Sequence, residues 1–248
     1  MKSIALTLVI SIVFAGNVIF AQNYQQDVIQ AGDSDLKITF IKHSSLVFEY
    51  DDKVIHIDPV MRMGDYSTLP KADLIMITHA HGDHFDLNAI EKLRKPSTKV
   101  VVTKKCMETS EHLENTLIMN DHEEKFVSGI KIRSVPAYNI KHKRDNGNPY
   151  HPKGEGNGYI FHFSNKKVYV AGDTENTPEM KSLEDIDVAF LPMNLPYTMT
   201  PEMVADAARA FQPDILYPYH FGKTNTQKLV DLLADEKKID VRIRDMGY

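Results

Sequence analysis

The order of strand and helix patterns predicts an α/β fold in which β-sheets are sandwiched between helices. In the 248-residue chain, short strands come first, and strands then alternate with helices in two separate stretches. The sequence shows no internal repeat of fixed period and no linker-like segment. Its length suits one large domain with a substantial hydrophobic core.

The N-terminus carries the pattern of a secretory signal peptide. Lys2 is followed by an apolar stretch over residues 4–15, and Ala21 is a small residue before a cleavage position. The pattern predicts cleavage after Ala21 and a secreted or periplasmic protein that has no stable membrane span after cleavage. The alternative is an uncleaved anchor, because Ile19 is larger than the residue usually found two positions earlier than Ala21.

Composition limits what the rest of the chain can do. Residues 22–35 are polar and predict a flexible leader, which leaves residues 36–248 as the folded domain. The net charge of −5 has interspersed signs, so no nucleic-acid-binding surface is expected. Cys106 is the only cysteine, which excludes an intrachain disulfide and a thiolate metal cluster.

The first half of the domain is predicted to begin with three strands and to gain helices after them. A turn at Asp51 and Asp52 separates two of these strands, and residues 74–78 form an apolar run that fits a strand buried on both faces. The predicted strands cover residues 36–41, 46–50, 53–57, 74–78, 99–103 and 116–119, and the predicted helices cover residues 86–95 and 104–113.

The second half is predicted to repeat the change from hairpins to alternating strands and helices. Thr200 is a good N-cap, with Pro201 at the first helical position. Residues 137–157 form a long irregular segment, and loops of this length are usually functional or disordered. The predicted strands cover residues 130–135, 158–164, 167–171, 187–191, 215–218 and 239–243, and the predicted helices lie near residues 178–183, 201–211 and 225–234.

The most informative segment follows the apolar strand and contains three histidines and an aspartate. His79 and His81 are two residues apart, so an extended backbone points both imidazoles the same way. Gly82 permits a tight turn, after which Asp83 and His84 emerge in a second direction. Imidazole nitrogens and a carboxylate oxygen are ligands for zinc and neighbouring transition metals. The segment therefore predicts a metal site rather than a polar loop that caps a helix.

Two later strands end in residues that can complete such a site. Asp173 follows a buried strand and Gly172, and His220 follows the strand over residues 215–218. Each residue alone fits a structural role equally well, as a helix cap or as a satisfied core histidine. Asp58, at the end of an earlier strand, is predicted to support the metal ligands by hydrogen bonding.

Together these segments resemble the metallo-β-lactamase superfamily from about Leu36 to the C-terminus. The most specific part is T-H-x-H-x-D-H, which runs here from Thr78 to His84. Supporting markers resemble the branch that includes ascorbate-6-phosphate lactonase-like proteins and N-acylphosphatidylethanolamine phospholipase D; they are Ile41-Lys42-His43-Ser44-Ser45, Ile55-His56-Ile57-Asp58-Pro59 and Val135-Pro136-Ala137. The resemblance implies an αββα sandwich of two mixed sheets with a two-metal centre at one edge.

The resemblance also implies which residues bind each metal. His79 and His81 would hold the first metal, Asp83, His84 and His220 would hold the second, and Asp173 would bridge them. A third histidine is implied on the first metal, but the chain has Asn139 where that histidine is expected. An amide oxygen is a poor zinc ligand compared with imidazole.

Three interpretations of this departure remain open. His151, which lies between prolines in the long loop, can replace the missing ligand. Alternatively, Asn139 coordinates weakly or orients water, or the first metal is lost or exchangeable. His142, in a basic cluster, is a less favoured ligand. His43 is interpreted either as a substrate-binding or supporting group at the same edge or as a structural histidine.

The activity implied by the resemblance is that of a metal-dependent hydrolase. Two zinc ions, with Mn²⁺ or Fe²⁺ as alternatives, would supply a hydroxide that attacks an ester, lactone, amide or phosphodiester bond. Asp83 would orient or deprotonate the nucleophile while also serving as a ligand. The expected partner is a small-molecule substrate, and the basic loop leaves open that it is an anion. The alternative is a non-catalytic metal- or ligand-binding module of the same fold, which Asn139 favours.

Overall fold

A computed structural model describes residues 24–110 and 113–247, which form two seven-stranded β-sheets packed face to face. The N-terminal sheet contains its strands in the order of the chain, from β1 to β7. These strands are β1 (Gln25–Ala31), β2 (Ser34–Lys42), β3 (Ser45–Tyr50), β4 (Lys53–Ile57), β5 (Leu74–Met76), β6 (Lys99–Val102) and β7 (Thr116–Ile118).

The C-terminal sheet is built in the same way, with neighbours in chain order from β8 to β14. Both sheets begin with antiparallel pairs and end with parallel ones, so both are mixed. The strands are β8 (Glu124–Val127), β9 (Ile130–Ala137), β10 (Gly156–Phe163), β11 (Lys166–Val170), β12 (Val188–Pro192), β13 (Ile215–Tyr219) and β14 (Asp240–Val241).

Helices cover the outer face of each sheet. Helices α1 (Leu87–Leu93) and α2 (Lys104–Thr109) pack on the N-terminal sheet, and α3 (Pro178–Lys181), α4 (Pro201–Phe211) and α5 (Thr226–Leu232) pack on the C-terminal sheet. The predicted cap is present, since the Thr200 side chain accepts a hydrogen bond from the Met203 backbone N–H. This arrangement confirms the predicted αββα sandwich.

The main core lies between the two sheets and is rich in aromatic side chains. Phe48 of the N-terminal sheet meets Phe161 and Phe163 of the C-terminal sheet edge to face, with ring centroids 5.6 and 6.0 Å apart. Such contacts add to the stabilisation that comes from burying large apolar surfaces. The core therefore fixes the two sheets relative to each other.

The prediction of a flexible leader over residues 22–35 is wrong for most of this segment. Gln25–Ala31 is strand β1, which pairs antiparallel with β2. Its side chains alternate between solvent and interior, so a polar composition is compatible with an edge strand.

The predicted signal peptide over residues 1–21 lies outside the described residues. Among the described residues, the helices are too short or too polar to cross a membrane.

The sheet topology brings several strand ends to one edge. β4, β5 and β6 are mutually parallel, as are β11, β12 and β13. Carboxyl ends of neighbouring parallel strands share an edge, and in open α/β sheets this is where ligands bind. The predicted site residues after β4, β5, β11 and β13 therefore lie on the same side of the sandwich.

Candidate metal centre

The segment after β5 forms a tight turn that presents its histidines to one another. His79 Nε2 lies 3.1 Å from His81 Nδ1. The backbone N–H of His84 donates to the His81 carbonyl at 2.9 Å, which closes the turn over Gly82. His79 and His84 are buried, whereas His81 borders solvent. This turn fixes three imidazoles within a few ångströms of each other.

Asp173 lies at the centre of the cluster. Its Oδ2 is 3.3 Å from His151 Nε2, 3.4 Å from His220 Nε2 and 3.9 Å from His79 Nε2. Its Oδ1 is 3.3 Å from His84 Nε2. A carboxylate with different histidines around its two oxygens has the arrangement expected of a bridging ligand.

Backbone geometry at two strand ends delivers Asp173 and His220. Gly172 precedes Asp173 with a φ of 66°, and a Cβ there would lie 2.8 Å from the Asn157 carbonyl oxygen, so the position requires glycine. His220 has a φ of 46°, and its backbone N–H donates to the His43 carbonyl at 2.8 Å. Non-glycine residues seldom adopt this backbone conformation, and those that do cluster at functional sites.

Three overlapping groups of side chains have ligand atoms within 4.8 Å of one another. The first group is His79, His81 and His151, the second is His43, Asp83, His84 and His220, and the third is His79, His84 and Asp173. The first group joins the predicted first-metal histidines to the proposed replacement ligand, and the second contains the predicted second-metal residues. The structure therefore brings all six predicted ligands and His151 to one place.

Within the described part of the chain, several buried atoms of this cluster have no hydrogen-bond partner. They include His84 Nε2, Asp173 Oδ1 and His220 Nε2. Burying polar atoms without partners costs free energy, and such atoms usually interact with a group that satisfies them. Imidazole nitrogens and a carboxylate oxygen that converge in this way form a donor set that fits a divalent metal ion.

Asp58 supports the cluster from behind, as the sequence predicts. Its Oδ2 accepts a hydrogen bond from His84 Nδ1 at 2.7 Å, and it also accepts hydrogen bonds from the backbone N–H and hydroxyl of Thr78 at 2.8 and 2.7 Å. Because a carboxylate accepts but does not donate, His84 carries its proton on Nδ1. Nε2 is thereby directed toward Asp173, where it would serve as a ligand once a metal ion displaces its proton.

Asn139 gives His151 the same kind of support. Its Oδ1 accepts hydrogen bonds from the His151 backbone N–H and from Nδ1, both at 2.8 Å. Its Nδ2 donates to the Tyr197 carbonyl at 2.9 Å and to Glu175 Oε1 at 3.3 Å. Both ends of the amide are therefore engaged, and of the three open interpretations the geometry favours His151 as the ligand and Asn139 as the residue that orients it.

Glu175 is a buried residue of the site that no sequence pattern indicates. Its carboxylate accepts hydrogen bonds from the consecutive backbone N–H groups of Ile140, Lys141 and His142 at 2.8, 2.7 and 2.6 Å. Burial acts to raise the pKa of Glu175, but the hydrogen bonds outweigh burial and hold the pKa below its usual value. Its position two residues after Asp173 gives no hint of this role, because the role depends on the path of a loop distant in sequence.

His142, the less favoured ligand, points away from the cluster. Its Nδ1 lies 2.9 Å from the Thr198 carbonyl oxygen and 2.8 Å from Glu175 Oε1. The side chain therefore helps to anchor the loop and is not part of the histidine cluster.

His43 lies beside Asp83 at the edge of the cluster. His43 is only 1% exposed, and its Nε2 donates to Asp83 Oδ2 at 3.1 Å. Burial lowers the pKa of His43 to about 4, so the imidazole is neutral near pH 7. Burial raises the pKa of Asp83, but the hydrogen bonds from His220 and His43 lower it more strongly, well below its usual value. His43 therefore orients an ionised Asp83.

The charges of the buried histidines differ according to their neighbours. Burial lowers the pKa of His79 well below its usual value. Burial also acts to lower the pKa of His84, but the carboxylates of Asp173 and Asp58 raise it well above its usual value. Without a metal ion His84 is therefore protonated on both ring nitrogens, between the two aspartates, and a metal ion would bind there by displacing the proton from Nε2.

A cavity of about 510 Å³ opens onto the cluster. This size falls in the range of sites for small molecules. Cluster residues and the neighbouring Gly82 form part of its wall, and residues of the 137–157 loop and of the segment after β12 form the rest. The lining residues outside the cluster are Gly82, Arg144, Tyr150, Asn194 and Tyr197.

Comparisons with known proteins agree with this fold. Residues 37–220 match the family model described as the beta-lactamase superfamily domain. A UPF0173 metal-dependent hydrolase of Nanoarchaeum equitans is 31% identical over 190 residues, which cover 75% of this chain and 84% of that protein. The residues that the family model matches include the T-H-x-H-x-D-H segment, Asp173 and His220.

Solved structures give the same result. A candidate metal-dependent hydrolase from Parabacteroides distasonis is 46% identical, superposes with a TM-score of 0.85, and covers 90% of this chain and all of that one. Igni18, a metallo hydrolase from Ignicoccus hospitalis, is 26% identical with a TM-score of 0.71, and the match covers 86% of this chain and 96% of that one. The resemblance to a lactonase- and phospholipase-like branch stays a prediction.

Proposed function

Because the chain belongs to the beta-lactamase superfamily, we propose that it is a metal-dependent hydrolase of small molecules whose histidine–aspartate cluster binds two metal ions, with zinc as the expected metal. His79, His81 and His151 would bind the first ion. Asp83, His84 and His220 would bind the second ion, and Asp173 would contact both.

The observation that carries the proposal is the set of buried ligand atoms without partners around Asp173. Four histidine Nε2 atoms lie 3.3–3.9 Å from its carboxylate oxygens. Hydrogen bonds to Asp58 and Asn139 direct the Nε2 atoms of His84 and His151 toward this point. A module that only stores a metal ion does not require an open cavity beside the cluster, so the cavity argues against that alternative, and turnover distinguishes catalysis from ligand binding.

The metal ions, Asp83 and His43 would have separate roles in hydrolysis. Bound metal ions would lower the pKa of a water molecule and polarise the bond to be cleaved. Asp83 lines the cavity, and its ionised carboxylate can accept a hydrogen bond from the attacking water while His43 holds the carboxylate in place. His43 is neutral and can donate only one proton at Nε2, so it fixes the orientation of Asp83.

Metal analysis and hydrolysis assays test this function together. The purified protein is expected to contain two metal ions per chain and to hydrolyse p-nitrophenyl acetate or bis(p-nitrophenyl) phosphate. His220→Ala and His151→Ala are each expected to lose about one metal ion and at least about 100-fold in turnover. His162→Ala, a partly exposed histidine of β10 outside the cluster, is the matched control.

Less than one tightly bound metal ion and no turnover after addition of zinc or manganese would support the non-catalytic module instead. Unchanged metal content in His151→Ala would remove His151 from the ligand set. In that case the first metal site would have to be completed by another residue.

A further inference from the structure

We propose that Arg144 is the anion-recognition residue of the cavity and that the substrate is a small organic anion, bound by its carboxylate or phosphoryl group at this residue while its scissile bond lies at the histidine cluster. The inference rests on the proposed function, which it extends by naming the class of substrate.

Arg144 is the one lysine or arginine among the residues that line the cavity. Among the described residues, no carboxylate lies within ion-pair distance of its guanidinium, whose contacts are with Tyr150. Lys153, in the same loop, is instead paired with Glu179 at 2.6 Å. Arg144 therefore presents an unpaired positive charge to the cavity.

The backbone around Arg144 forms a fixed turn. Its N–H donates to the Asn148 carbonyl at 2.8 Å, and its carbonyl accepts from the Gly147 N–H at 2.9 Å. Lys143 and Pro149 form an antiparallel bridge that closes this turn. A side chain on such a turn loses less conformational entropy on binding than one on an open loop.

Aromatic rings hold the guanidinium in position. Its central carbon lies 5.0 Å from the centroid of the Tyr150 ring, a distance typical of a cation–π contact. The Tyr150 ring in turn meets Tyr197 edge to face, with centroids 5.1 Å apart. The ring supports one face of the guanidinium, Nη2 donates to the Tyr150 carbonyl at 3.4 Å, and the other N–H groups make no hydrogen bond to a described residue. A guanidinium matches a carboxylate or phosphate, which it can bind through two parallel hydrogen bonds.

The charges of the cavity give the substrate one orientation. Asp83 and Asp173 line the cavity as part of the histidine cluster, whereas Arg144 lines it as an exposed residue of the loop. With the carboxylates neutralised by bound metal ions, the guanidinium is the positive side chain of the cavity that attracts the free anionic group away from the cluster. The remainder of the molecule then extends along Tyr197 toward the cluster. Tyr150 is directly followed by His151, so the anion site and the proposed metal ligand are parts of one segment.

Calorimetric titration of the zinc-loaded protein tests the proposal, with benzoate as the carboxylate probe and phenylphosphonate as the phosphoryl probe. Arg144→Gln is expected to weaken binding of at least one probe by about tenfold or more, since a hydrogen-bonded charge is removed. The probe that is weakened more identifies the preferred anion. Lys143→Gln removes the same charge one residue away, outside the cavity lining, and is expected to bind both probes within about twofold of the wild type.

Equal affinity of wild type and Arg144→Gln for both probes would overturn the proposal, because the anions would then bind at the metal ions alone. An equal loss in both variants would also overturn it, since general attraction by the basic loop would explain the result. Metal content and ester hydrolysis of the wild type are measured separately. Absence of hydrolysis would refute the proposed function, whereas the titrations would still report on Arg144.

Discussion

Asn139 occupies the position where the resemblance implies a histidine ligand, and its side chain instead accepts two hydrogen bonds from His151. Without this acceptor, the His151 ring would no longer be fixed with Nε2 toward Asp173. We therefore expect Asn139→Ala to weaken the binding of one metal ion by about 10–100-fold, as is usual when a ligand loses its supporting hydrogen bond. Competition with a chromogenic chelator measures the two affinities.

Asn148→Ala is the matched control for this experiment. Asn148 lies in the same loop and is exposed, and its side chain is not engaged by His151. Both metal affinities are expected to stay at their wild-type values in this variant. If Asn139→Ala binds two ions as tightly as Asn148→Ala, Asn139 does not orient the ligand.

His56 provides a prediction about acid sensitivity that does not involve the metal centre. It is fully buried in β4, where its Nε2 donates to the Pro70 carbonyl at 3.0 Å, and burial lowers its pKa to about 4. In the unfolded chain the His56 imidazole binds a proton near pH 6.5, whereas in the folded protein it stays neutral down to about pH 4. Protonation therefore stabilises the unfolded state, and the free energy of unfolding decreases as the pH falls from about 6.5 to about 4. The loss amounts to about 2 kcal/mol by pH 5.

Urea unfolding of metal-free protein at about pH 7.5 and pH 5 measures this contribution. His56→Gln keeps an N–H donor but does not titrate, so its free energy of unfolding is expected to fall less than that of the wild type between the two pH values. The same fall in both proteins would show that His56 does not contribute.

The sequence was most informative for residues whose contacts are local. His79, His81 and His84 lie within six positions, so their spacing alone brings the imidazoles together. Asp173 and His220 required the family resemblance, because nothing local distinguishes them from a helix cap or a core histidine. The contact between Asn139 and His151 depends on the path of a long loop, which no periodic pattern describes.

At the scale of elements, Glu175 holds the start of the 137–157 loop in place through the N–H groups of Ile140, Lys141 and His142. Glu175→Gln directs an amide N–H toward these donors and leaves at least one of them without an acceptor, which costs about 1–3 kcal/mol. We expect the loop to open more often, and trypsin to cleave after Lys141 or its basic neighbours about tenfold faster or more. Limited proteolysis with mass spectrometry identifies the site of cleavage.

Glu202→Gln is a suitable control, because Glu202 is an exposed residue of α4 whose partner is Lys228. It removes one carboxylate without affecting the loop and is expected to be cleaved at the wild-type rate. Faster cleavage spread over the whole chain in Glu175→Gln would indicate general unfolding and would contradict a local role for Glu175.

Elements with a strong hydrophobic pattern were predicted close to their observed positions. α4 begins at Pro201 and β4 spans Lys53–Ile57, as predicted. Helix α2 ends at Thr109, earlier than the predicted residue 113. β1 was missed because one face of this edge strand is solvated, and Val28 is 59% exposed. Such a strand is stabilised by backbone pairing with β2 rather than by its own composition.

At the scale of the whole molecule, β1 and β14 lie at corresponding edges of the two sheets, and side chains near them connect the edges. Asp27 of β1 accepts hydrogen bonds from Arg244 at 2.6 and 2.8 Å and also from the Tyr217 hydroxyl. The Arg244 guanidinium lies 5.6 Å from the ring centroids of Phe40 and Tyr217. Segments from opposite ends of the chain are thus joined, which the sequence could not indicate because their separation exceeds 200 residues.

This connection predicts that β1 contributes to global stability. The Asp27 side chain is 13% exposed, so Asp27→Asn leaves Arg244 partly buried without a full charge partner, and we expect a loss of about 2 kcal/mol in the free energy of unfolding. Glu49→Gln removes a partly exposed pair with Lys37 in the same sheet and is expected to change stability by less than about 0.5 kcal/mol. Urea unfolding at neutral pH compares the variants. Equal midpoints would mean that the two sheets are held together by the aromatic core alone and that the edges of the sandwich are energetically independent.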